Sequence, residues 1–459
     1  MTATLAPVSA GTTSRDVTAT SLHADVAVIG AGPAGMAAAV RAADAGRRVI
    51  VLDESPNAGG QIWRHRTPAI LDAEARRWID RLGRSSAEVH HGLSVADIVH
   101  TGESGYAIVA ERHAGGAVVV RATSIVLATG ARERFLPFPG WTLPGVVGIG
   151  GAQALLKNGA TFRGKRVIIA GTGPLILPVA ASLSSAGARV ELVAEQAPFS
   201  AVRDFTFSLL TRPETLVQAA IYRLAFARTR YSVGTWVSAA SGTDRLTGVT
   251  VTDGRTTRSL QCDVLCTGYG LVPNVELARL LGCGIEHGGA VVNGRQETTV
   301  ANVYAAGELT GVGGVALSVV EGEIAGVCAA GAARPEAALV RRRGALRDLA
   351  ARLDRAFAVR PEIRALSRDD TIVCRCEDVR RGAVAALRDA RQAKLYVRAG
   401  MGACQGRVCG PAFEFLFGWS PGTVRYPTEP VRLSTVAASA SLLATSPAPS
   451  AAALPPSGS

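Results

Sequence analysis

The chain has 459 residues, more than one hydrophobic core usually supports, so we expect two or three domains. Its 48% hydrophobic and 19% charged residues are ordinary for a folded protein, and its 51 glycines lack a collagen-like period. The net charge of +12 comes from arginines spread along the chain rather than from a basic tail, which argues against nucleic-acid binding.

Neither a secretion signal nor a membrane span is expected. Residues 1–22 are rich in Ser, Thr and Ala without an apolar core, so they predict a disordered tail. Residues 167–188 contain no charge, but their glycines and prolines predict a buried strand, a turn and a buried helix. We therefore expect a cytoplasmic protein, peripheral to a membrane only through its electron acceptor.

The segment ADVAVIGAGPAGMAAAVRAADAGRRVIVLDE predicts the βαβ unit of a dinucleotide-binding fold. Its glycines supply the turn, room for a pyrophosphate and close packing of the helix on the strand, while the acid 23 residues after the first glycine suits an adenosine ribose. The helix N-terminus offers free amides to the phosphates. The candidate residues are Gly30, Gly32, Pro33, Ala34, Gly35, Asp53 and Glu54.

The pattern recurs 141 residues later in KRVIIAGTGPLILPVAASLSSAGARVELVAEQ, with Gly171 and Gly173 in the turn. Two copies in register predict a pair of dinucleotide domains. In the second copy Ile176 replaces the packing glycine and Ala194 replaces the acid, with Glu195 one step later. We therefore expect a compromised second site, in which NAD, NADP, another adenine nucleotide and no ligand all stay open.

Three further segments resemble the FAD motifs of two-dinucleotide-domain flavoproteins. They are ESPNAGGQIWR after the first unit, TSIVLATGARERFLPFPG before the second, and ANVYAAGELTGVGGVALSVVEGEIAG after it. The resemblance implies bound FAD, and it departs from the usual motif at Glu308, where Asp is common. It adds these candidate residues: Gly60, Gln61, Thr129, Gly130, Gly307 and Glu308. Disulfide reductases of this architecture carry a dithiol beside the flavin, but the corresponding stretch PGVVGIGGAQALL has no cysteine.

Four cysteines crowd together after residue 370 and predict a metal or cluster site in a reducing compartment. Their spacing is Cys-x-Cys, 27 residues, then Cys-x4-Cys, unlike the Cys-x2-Cys knuckles of structural zinc sites. The stretch resembles the helical iron–sulfur domain of bacterioferritin-associated-ferredoxin type, which implies a [2Fe–2S] cluster; zinc and a vestigial site are the alternatives. The candidate ligands are Cys374, Cys376, Cys404 and Cys409.

The predicted fold is α/β, with paired Rossmann-like domains and a small helical iron–sulfur domain. We expect these segments: a disordered tail at 1–22, an FAD domain at 23–140 and 272–332, a second dinucleotide domain at 141–271, a helical connector at 333–367, the iron–sulfur domain at 368–430 and a disordered tail at 431–459.

In this order, the motifs resemble the α subunits of heteromeric amino-acid-oxidising flavoenzymes, a group that includes opine oxidases, hydrogen cyanide synthase and dye-linked proline dehydrogenases. The resemblance implies an electron-relaying subunit that works with an FAD-containing β subunit of sarcosine/glycine-oxidase type and with a small ferredoxin-like subunit. No catalytic residue is predicted, because flavin and cluster supply the chemistry. The alternatives are a self-contained NAD(P)H-dependent reductase and a redox-sensing binding module.

Overall fold

The computed structural model describes residues 19–65, 72–102, 105–420 and 422–444. Two sheets, each built around a parallel βαβ unit, form the main body, and a cysteine-bearing segment follows them. This α/β architecture agrees with the pair of glycine motifs in the sequence.

The first part of the chain alternates strands with two helices before the chain passes to the second sheet. Its elements are β1 (Ala19–Ile29), α1 (Pro33–Asp44), β2 (Val49–Asp53), α2 (Ala73–Arg84), β3 (Glu88–His91), β4 (Leu93–His100), β5 (Tyr106–Arg112), β6 (Ala117–Leu127) and β7 (Ala131–Glu133).

The middle part forms the second sheet and a smaller antiparallel sheet. Its elements are β8 (Val146–Gly148), α3 (Ile149–Lys157), β9 (Arg166–Gly171), α4 (Ile176–Ser185), β10 (Arg189–Glu195), α5 (Phe199–Ser208), α6 (Pro213–Ala225), β11 (Arg230–Val233), β12 (Trp236–Ser241), β13 (Gly248–Thr252), β14 (Thr257–Gln261), β15 (Val264–Gly268) and β16 (Leu271–Pro273).

The last part returns to the first sheet and then becomes mostly helical. Its elements are α7 (Glu276–Leu280), β17 (Ile285–Glu286), β18 (Gly289–Ala290), β19 (Val303–Ala305), α8 (Val315–Ala329), α9 (Ala337–Ala356), α10 (Pro361–Arg364), β20 (Ile372–Cys374), β21 (Val379–Arg380), α11 (Arg381–Val384), α12 (Ala390–Val397), α13 (Cys409–Phe417) and α14 (Leu433–Ala444).

The first sheet has the strand order β3-β2-β1-β6-β5-β4, with β19 paired to β6. Strand β1 pairs in parallel with β2 and β6, whereas β4 and β5 pair antiparallel. Strand β2 is buried throughout because its side chains alternate between two cores: Val51 packs on one face of the sheet, and Ile50 and Leu52 on the other. Burial on both faces explains its unbroken apolar sequence.

The second sheet repeats this arrangement with the order β11-β10-β9-β15-β8, in which every neighbouring pair is parallel. Residues 167–188 contain all of β9 except its first residue and the whole of α4, as the glycines and prolines of that stretch predicted. The antiparallel pair β7 and β16 lies where the chain leaves the first sheet and returns to it.

Helices α1 and α8 approach closely because small residues line their contact. A Cβ atom on Gly322 would lie 2.1 Å from the carbonyl oxygen of Ala34, and one on Gly326 would lie 2.3 Å from that of Ala38. Real side chains do not tolerate such distances. The glycines therefore set how near the late FAD-type motif comes to the first glycine turn.

The predicted disordered tails need correction. Residues 19–22 belong to β1, where Ala19–Leu22 pair with Ala117–Val120, and Leu433–Ala444 form helix α14. Helix α14 packs on the first sheet, where Leu443 contacts its core and Thr435 donates a hydrogen bond to Glu111 at 2.6 Å. Its Ala/Ser-rich composition suits a helix as well as a coil once such a surface is present. Residues 1–18 and 445–459 lie outside the described residues.

Within the described parts of the chain, no helix is both long and apolar enough to cross a membrane.

We predict that Gly326→Ala destabilises the protein, because the new methyl group would overlap the α1 backbone. The expected loss in the free energy of unfolding is about 1–3 kcal/mol, measured by urea denaturation. The matched control is Gly344→Ala in α9, where a Cβ atom meets nothing within 4 Å; there we expect a gain of up to about 1 kcal/mol. Equal stability of the two variants would contradict the close α1–α8 contact.

Candidate functional site

The first glycine turn joins β1 to α1. A Cβ atom on Gly30, whose φ is +101°, would lie 2.4 Å from the Ala128 carbonyl oxygen, and one on Gly35 would lie 1.8 Å from the Gly30 carbonyl oxygen. At Gly32 the nearest atom to a Cβ would be the Cα of Gly60, at 3.9 Å. Two glycines thus close the packing, and the third keeps room that an anionic pyrophosphate can fill at the free amides of α1.

Asp53 ends β2 beside this turn, where its sequence position predicted it. Its carboxylate is buried and accepts hydrogen bonds from the backbone amides of Ala31 at 2.5 Å and Ser55 at 2.7 Å. The carboxylate therefore lies at the mouth of the turn. The next candidate, Glu54, is exposed and is not drawn into the turn.

The loop with the second candidate motif folds over the same turn. The amide of Gly59 donates to the Ala31 carbonyl oxygen at 2.8 Å, and a Cβ atom on Gly60 would lie 2.9 Å from the Cα of Gly32. Both residues have positive φ angles, which glycine adopts readily. Gln61 follows in an exposed turn. Glycine at position 60 is thus required by contact with the first turn.

The third candidate motif is fixed by Asn274, a residue that the sequence analysis missed. Thr129 donates its hydroxyl to the Asn274 carbonyl oxygen at 2.7 Å, the Asn274 side-chain amide donates to the Thr129 carbonyl oxygen at 2.8 Å, and the Asn274 backbone amide donates to the Gly130 carbonyl oxygen at 3.0 Å. A polar residue within the apolar stretch LVPNV was the available signal.

The late motif is organised by Glu321, which was also missed. This fully buried carboxylate accepts hydrogen bonds from the Gly307 amide at 3.0 Å and the Thr310 hydroxyl at 2.7 Å, and it pairs with Arg347 at 2.7 Å. A carboxylate within the apolar helix sequence VALSVVEGEIAG requires such partners. The predicted residue Glu308 instead accepts from the Gly314 amide at 3.3 Å, and burial raises the pKa of Glu308.

The second glycine turn corrects one expectation. Strand β10 contains a register shift between Val190 and Leu192, so Glu195 rather than Ala194 pairs with Gly171. The Glu195 carboxylate is buried and accepts from the amides of Gly173 and Ala197, each at 2.8 Å. These bonds repeat those of Asp53 in the first copy. The expected loss of the acid was therefore wrong, because a β-bulge moved it by one residue.

Helix α4 begins at Ile176, the residue that replaces the packing glycine, whereas α1 begins at Pro33, two positions earlier in the repeat. Ile176 is completely buried. The glycine turn is thus longer in the second copy, and the free amides at the start of its helix lie later in the chain.

A turn from the connector covers the mouth of the second site. Thr172 donates its hydroxyl to the Phe357 carbonyl oxygen at 2.9 Å, and the Gln196 side chain donates to Ala358 at 3.0 Å and accepts from the Arg360 amide at 2.9 Å. A Cβ atom on Gly173 would lie 3.8 Å from the Phe357 side chain. The chain itself therefore occupies the space in front of this glycine turn.

The four clustered cysteines approach each other in two pairs. The buried thiols of Cys374 and Cys409 are neighbours, and the Cys409 thiol lowers the pKa of Cys374, while Cys376 and Cys404 are neighbours nearer the surface. Among the described residues, no group of three or more His, Cys, Asp or Glu side chains has the arrangement of a metal site. The structure thus brings the predicted ligands near each other as thiol pairs.

Glycines surround these thiols closely. The Gly400 amide donates to the Cys374 sulfur at 3.4 Å, and a Cβ atom on Gly402 would lie 2.3 Å from that of Cys376. Four thiols with backbone amides nearby form a donor set that suits an iron–sulfur cluster.

Arg132 connects the third motif to the cysteine loop. Its guanidinium donates to the Asn274 side-chain oxygen at 2.7 Å, pairs with Glu276 at 2.9 Å and donates to the Arg407 carbonyl oxygen at 3.1 Å. Arg407 lies between the last two cysteines of the module. A second contact runs from the Trp141 indole to the Ile372 carbonyl oxygen at 2.7 Å.

The family model for pyridine nucleotide-disulphide oxidoreductases matches residues 24–332, which span both glycine turns and the late motif. The chain belongs to this family. Its members combine two dinucleotide-binding domains, so the match agrees with the two sheets and with an FAD-dependent oxidoreductase.

Similar curated proteins include subunits of hydrogen cyanide synthase, opine oxidase and sarcosine oxidase, as the motif order predicted. Hydrogen cyanide synthase subunit HcnB of Pseudomonas aeruginosa is 33% identical, over 83% of this chain and 90% of its own length. An opine oxidase subunit of Rhizobium meliloti (strain 1021) is also 33% identical, over 90% of this chain and 98% of its own length.

Solved structures show the same fold. L-proline dehydrogenase from P. horikoshii has a TM-score of 0.65 and 18% identity, covering 91% of this chain and 80% of its own. T. acidophilum thioredoxin reductase has a TM-score of 0.54 and 24% identity, covering 67% of this chain and 98% of its own.

We predict that Glu195 makes stability fall as pH rises. Burial raises the pKa of Glu195 from 4.5 to about 7, so the unfolded chain releases this proton at a lower pH than the folded protein does. Its contribution is present below pH 4.5 and is lost as pH rises toward about 7. Urea denaturation across this range should show a weaker decline for Glu195→Gln than for the wild type, with the exposed Glu191→Gln as control. Parallel curves for wild type and Glu195→Gln would refute the assignment.

Proposed function

We propose that this FAD-dependent oxidoreductase is the electron-transferring subunit of a heteromeric amino-acid or opine dehydrogenase or oxidase in the cytoplasm. In this proposal it relays electrons from a flavin through a [2Fe–2S] cluster to an acceptor. The observation that carries the proposal is the hydrogen-bonded connection through Arg132, which runs from the turn at Thr129 to the loop that bears the last two cysteines.

The first site suits FAD because its contacts leave space where a dinucleotide needs it. Gly32 leaves room for phosphates at the α1 N-terminus, and Asp53 lies where a ribose hydroxyl can replace the backbone amides as its partner. Gly60, Gly130 and Gly307 border the remaining length of the site without side chains. When bound, FAD supplies two-electron chemistry.

The cysteine loops suit a cluster because their thiols already meet in pairs beside glycine amides. Cys374 would ligate from the end of β20, Cys376 from the turn after it, Cys404 from the loop before α13 and Cys409 from the first position of α13. The Gly400 amide would stabilise negative charge on sulfur.

The proposed partners follow from the relatives, whose names describe subunits. An FAD-containing β subunit of sarcosine/glycine-oxidase type would oxidise the C–N bond, and a small ferredoxin-like subunit would complete the complex. This division of labour agrees with the lack of any proposed catalytic acid or base in the present chain.

The second candidate function is a self-contained NAD(P)H-dependent reductase, and the position of Glu195 favours it. An acid at the end of β10 is what a nicotinamide dinucleotide site uses for the ribose. One observation opposes it: the Phe357 turn fills the mouth of the site.

We expect NADH and NADPH to leave the flavin oxidised in an anaerobic titration of the purified chain, followed by flavin absorbance. The reason is that the Phe357 turn denies the nucleotide access to the second glycine turn. Prompt bleaching by either nucleotide would reject the relay function in favour of the reductase. Dithionite, which needs no binding site, is the positive control.

We expect Cys404→Ser to remove the broad visible absorbance of a cluster and its low-temperature electron paramagnetic resonance signal while FAD stays bound. The substitution removes one proposed ligand and leaves the residues of the first glycine turn unchanged. The matched control is Cys266→Ser, at a buried thiol of β15, which should keep both chromophores. Retention of the cluster signals in Cys404→Ser would contradict the ligand assignment.

A further inference from the structure

Helices α5 and α6 contain no buried residue, although both lie on the second sheet's domain. On α6, Val217, Ile221 and Leu224 are 58%, 59% and 72% exposed. Their spacing of four and three residues places them on one face of the helix. The stripe borders a groove that is also lined by Glu214 and Gln218.

The internal repeat shows that this face is unusual. Helix α6 occupies the same place in the second copy as α2 does in the first, since each follows the second strand of its βαβ unit and packs on the crossover helix. The exposed side of α2 carries Arg76, Asp80 and Gly83, at the same spacing of four and three residues as the apolar stripe of α6. All three residues of α2 are exposed. The solvent face of this helix is therefore polar in one copy and aliphatic in the other.

The inner face of α6 already has its partner. Tyr222 packs into the core of the second sheet, and the following residue Phe226 is buried there. Because the inner face is satisfied, folding of this chain does not require Val217, Ile221 and Leu224 to be apolar. A helix that is apolar on two faces packs against two partners.

Neighbouring residues extend this apolar character along the chain. Phe199 and Phe207 of α5 are 70% and 63% exposed, and Leu210, in the short segment before α6, is 67% exposed. Six large apolar side chains on the outside of consecutive segments exceed the scattered exposure that is ordinary for a monomer. We name this set the α5–α6 surface: Phe199, Phe207, Leu210, Val217, Ile221 and Leu224.

The charges around the α5–α6 surface indicate which kind of partner fits it. The segment 199–230 carries five arginines and two carboxylates, and the whole chain has a net charge of +12. A second copy of the chain would bring two basic surfaces together, whereas a protein with an acidic rim around an apolar centre would complement this one. Arg228 and Arg230, both exposed, lie beyond the end of α6 and can meet such a rim.

We propose that the α5–α6 surface is the docking face for the amino-acid-oxidising flavoprotein subunit, which presents an apolar patch with acidic residues around it. The inference rests on the proposed function, because it assigns a surface to the partner which that function requires. Ile221 lies at the centre of the aliphatic stripe and is the anchor of the contact.

The test uses the flavin-containing partner subunit isolated from the native complex, with its affinity for the present chain measured by sedimentation. Ile221→Asp should raise the dissociation constant by about 30-fold or more, as expected when a central apolar contact is replaced by a charge. Ile221→Arg should weaken binding less, because it adds no repulsion from an acidic rim. The matched control is Leu433→Asp, at an exposed leucine of α14 on the first sheet, which should bind as the wild type does. Because both positions are exposed, thermal unfolding of each variant should match the wild type.

Unchanged affinity of Ile221→Asp overturns the docking face, while amino-acid turnover by the reconstituted complex would show that the proposed function stands. Turnover of amino acids by the present chain without any partner overturns both. Self-association of the wild-type chain that Ile221→Asp abolishes would assign the surface to a second copy. Cosedimentation with phosphatidylglycerol vesicles that the same substitution abolishes would assign it to a membrane. Either result overturns the proposal.

Discussion

The buried carboxylate of Glu321 joins the first dinucleotide site to the helix that covers the second. It fixes the late motif through the Gly307 amide and the Thr310 hydroxyl, and it fixes α9 through Arg347. A buried charge is stable only when its hydrogen bonds are complete, so these three segments hold one another in place. Helix α9 spans 20 residues, about 30 Å, and ends at the Phe357 turn. The same helix thereby connects the FAD-type site to the covered second site.

The two copies of the βαβ unit share one backbone arrangement but differ in their surroundings. In both copies the second strand ends with a carboxylate. That carboxylate accepts one hydrogen bond from a backbone amide of the glycine turn and one from the amide two residues after the carboxylate residue itself. They differ in which segment lies against the turn: the loop with Gly59 and Gly60 at the first, and the turn at Phe357, hydrogen-bonded to Thr172, at the second. Backbone geometry is thus shared by both copies, while the segment that covers it differs.

Local patterns predicted the parts of the structure that local geometry determines. The glycines at 30 and 35 and the acid at 53 are set by the strand, turn and helix that contain them, and the structure places them together. Glu195 was misread because a β-bulge at Glu191 has no reliable sequence signature and moves the register by one. Asn274, Arg132 and Phe357 act across 145, 275 and 185 residues of chain, so no local pattern reveals their contacts.

Helix α14 was missed for a different reason: its Ala/Ser-rich sequence fits a helix and a coil equally well, and only packing on the first sheet decides between them. The cysteine module was predicted only in part. The spacing of its cysteines predicted one shared site, and the structure shows them in two pairs.

Closure of the second site and the apolar outer face of α6 have a common explanation in the proposed function. A reductase must admit a nicotinamide dinucleotide to its second domain, so the entrance to the second glycine turn must stay open. Nothing in that function requires the exposed face of the outer helix to be apolar. A subunit that receives electrons from a partner protein does not need that entrance. The Phe357 turn can then stabilise the second glycine turn permanently, and the helix that corresponds to α2 is free to carry aliphatic side chains on its exposed face. Loss of a small-molecule donor and gain of a protein contact would thus be two consequences of one change in the source of electrons.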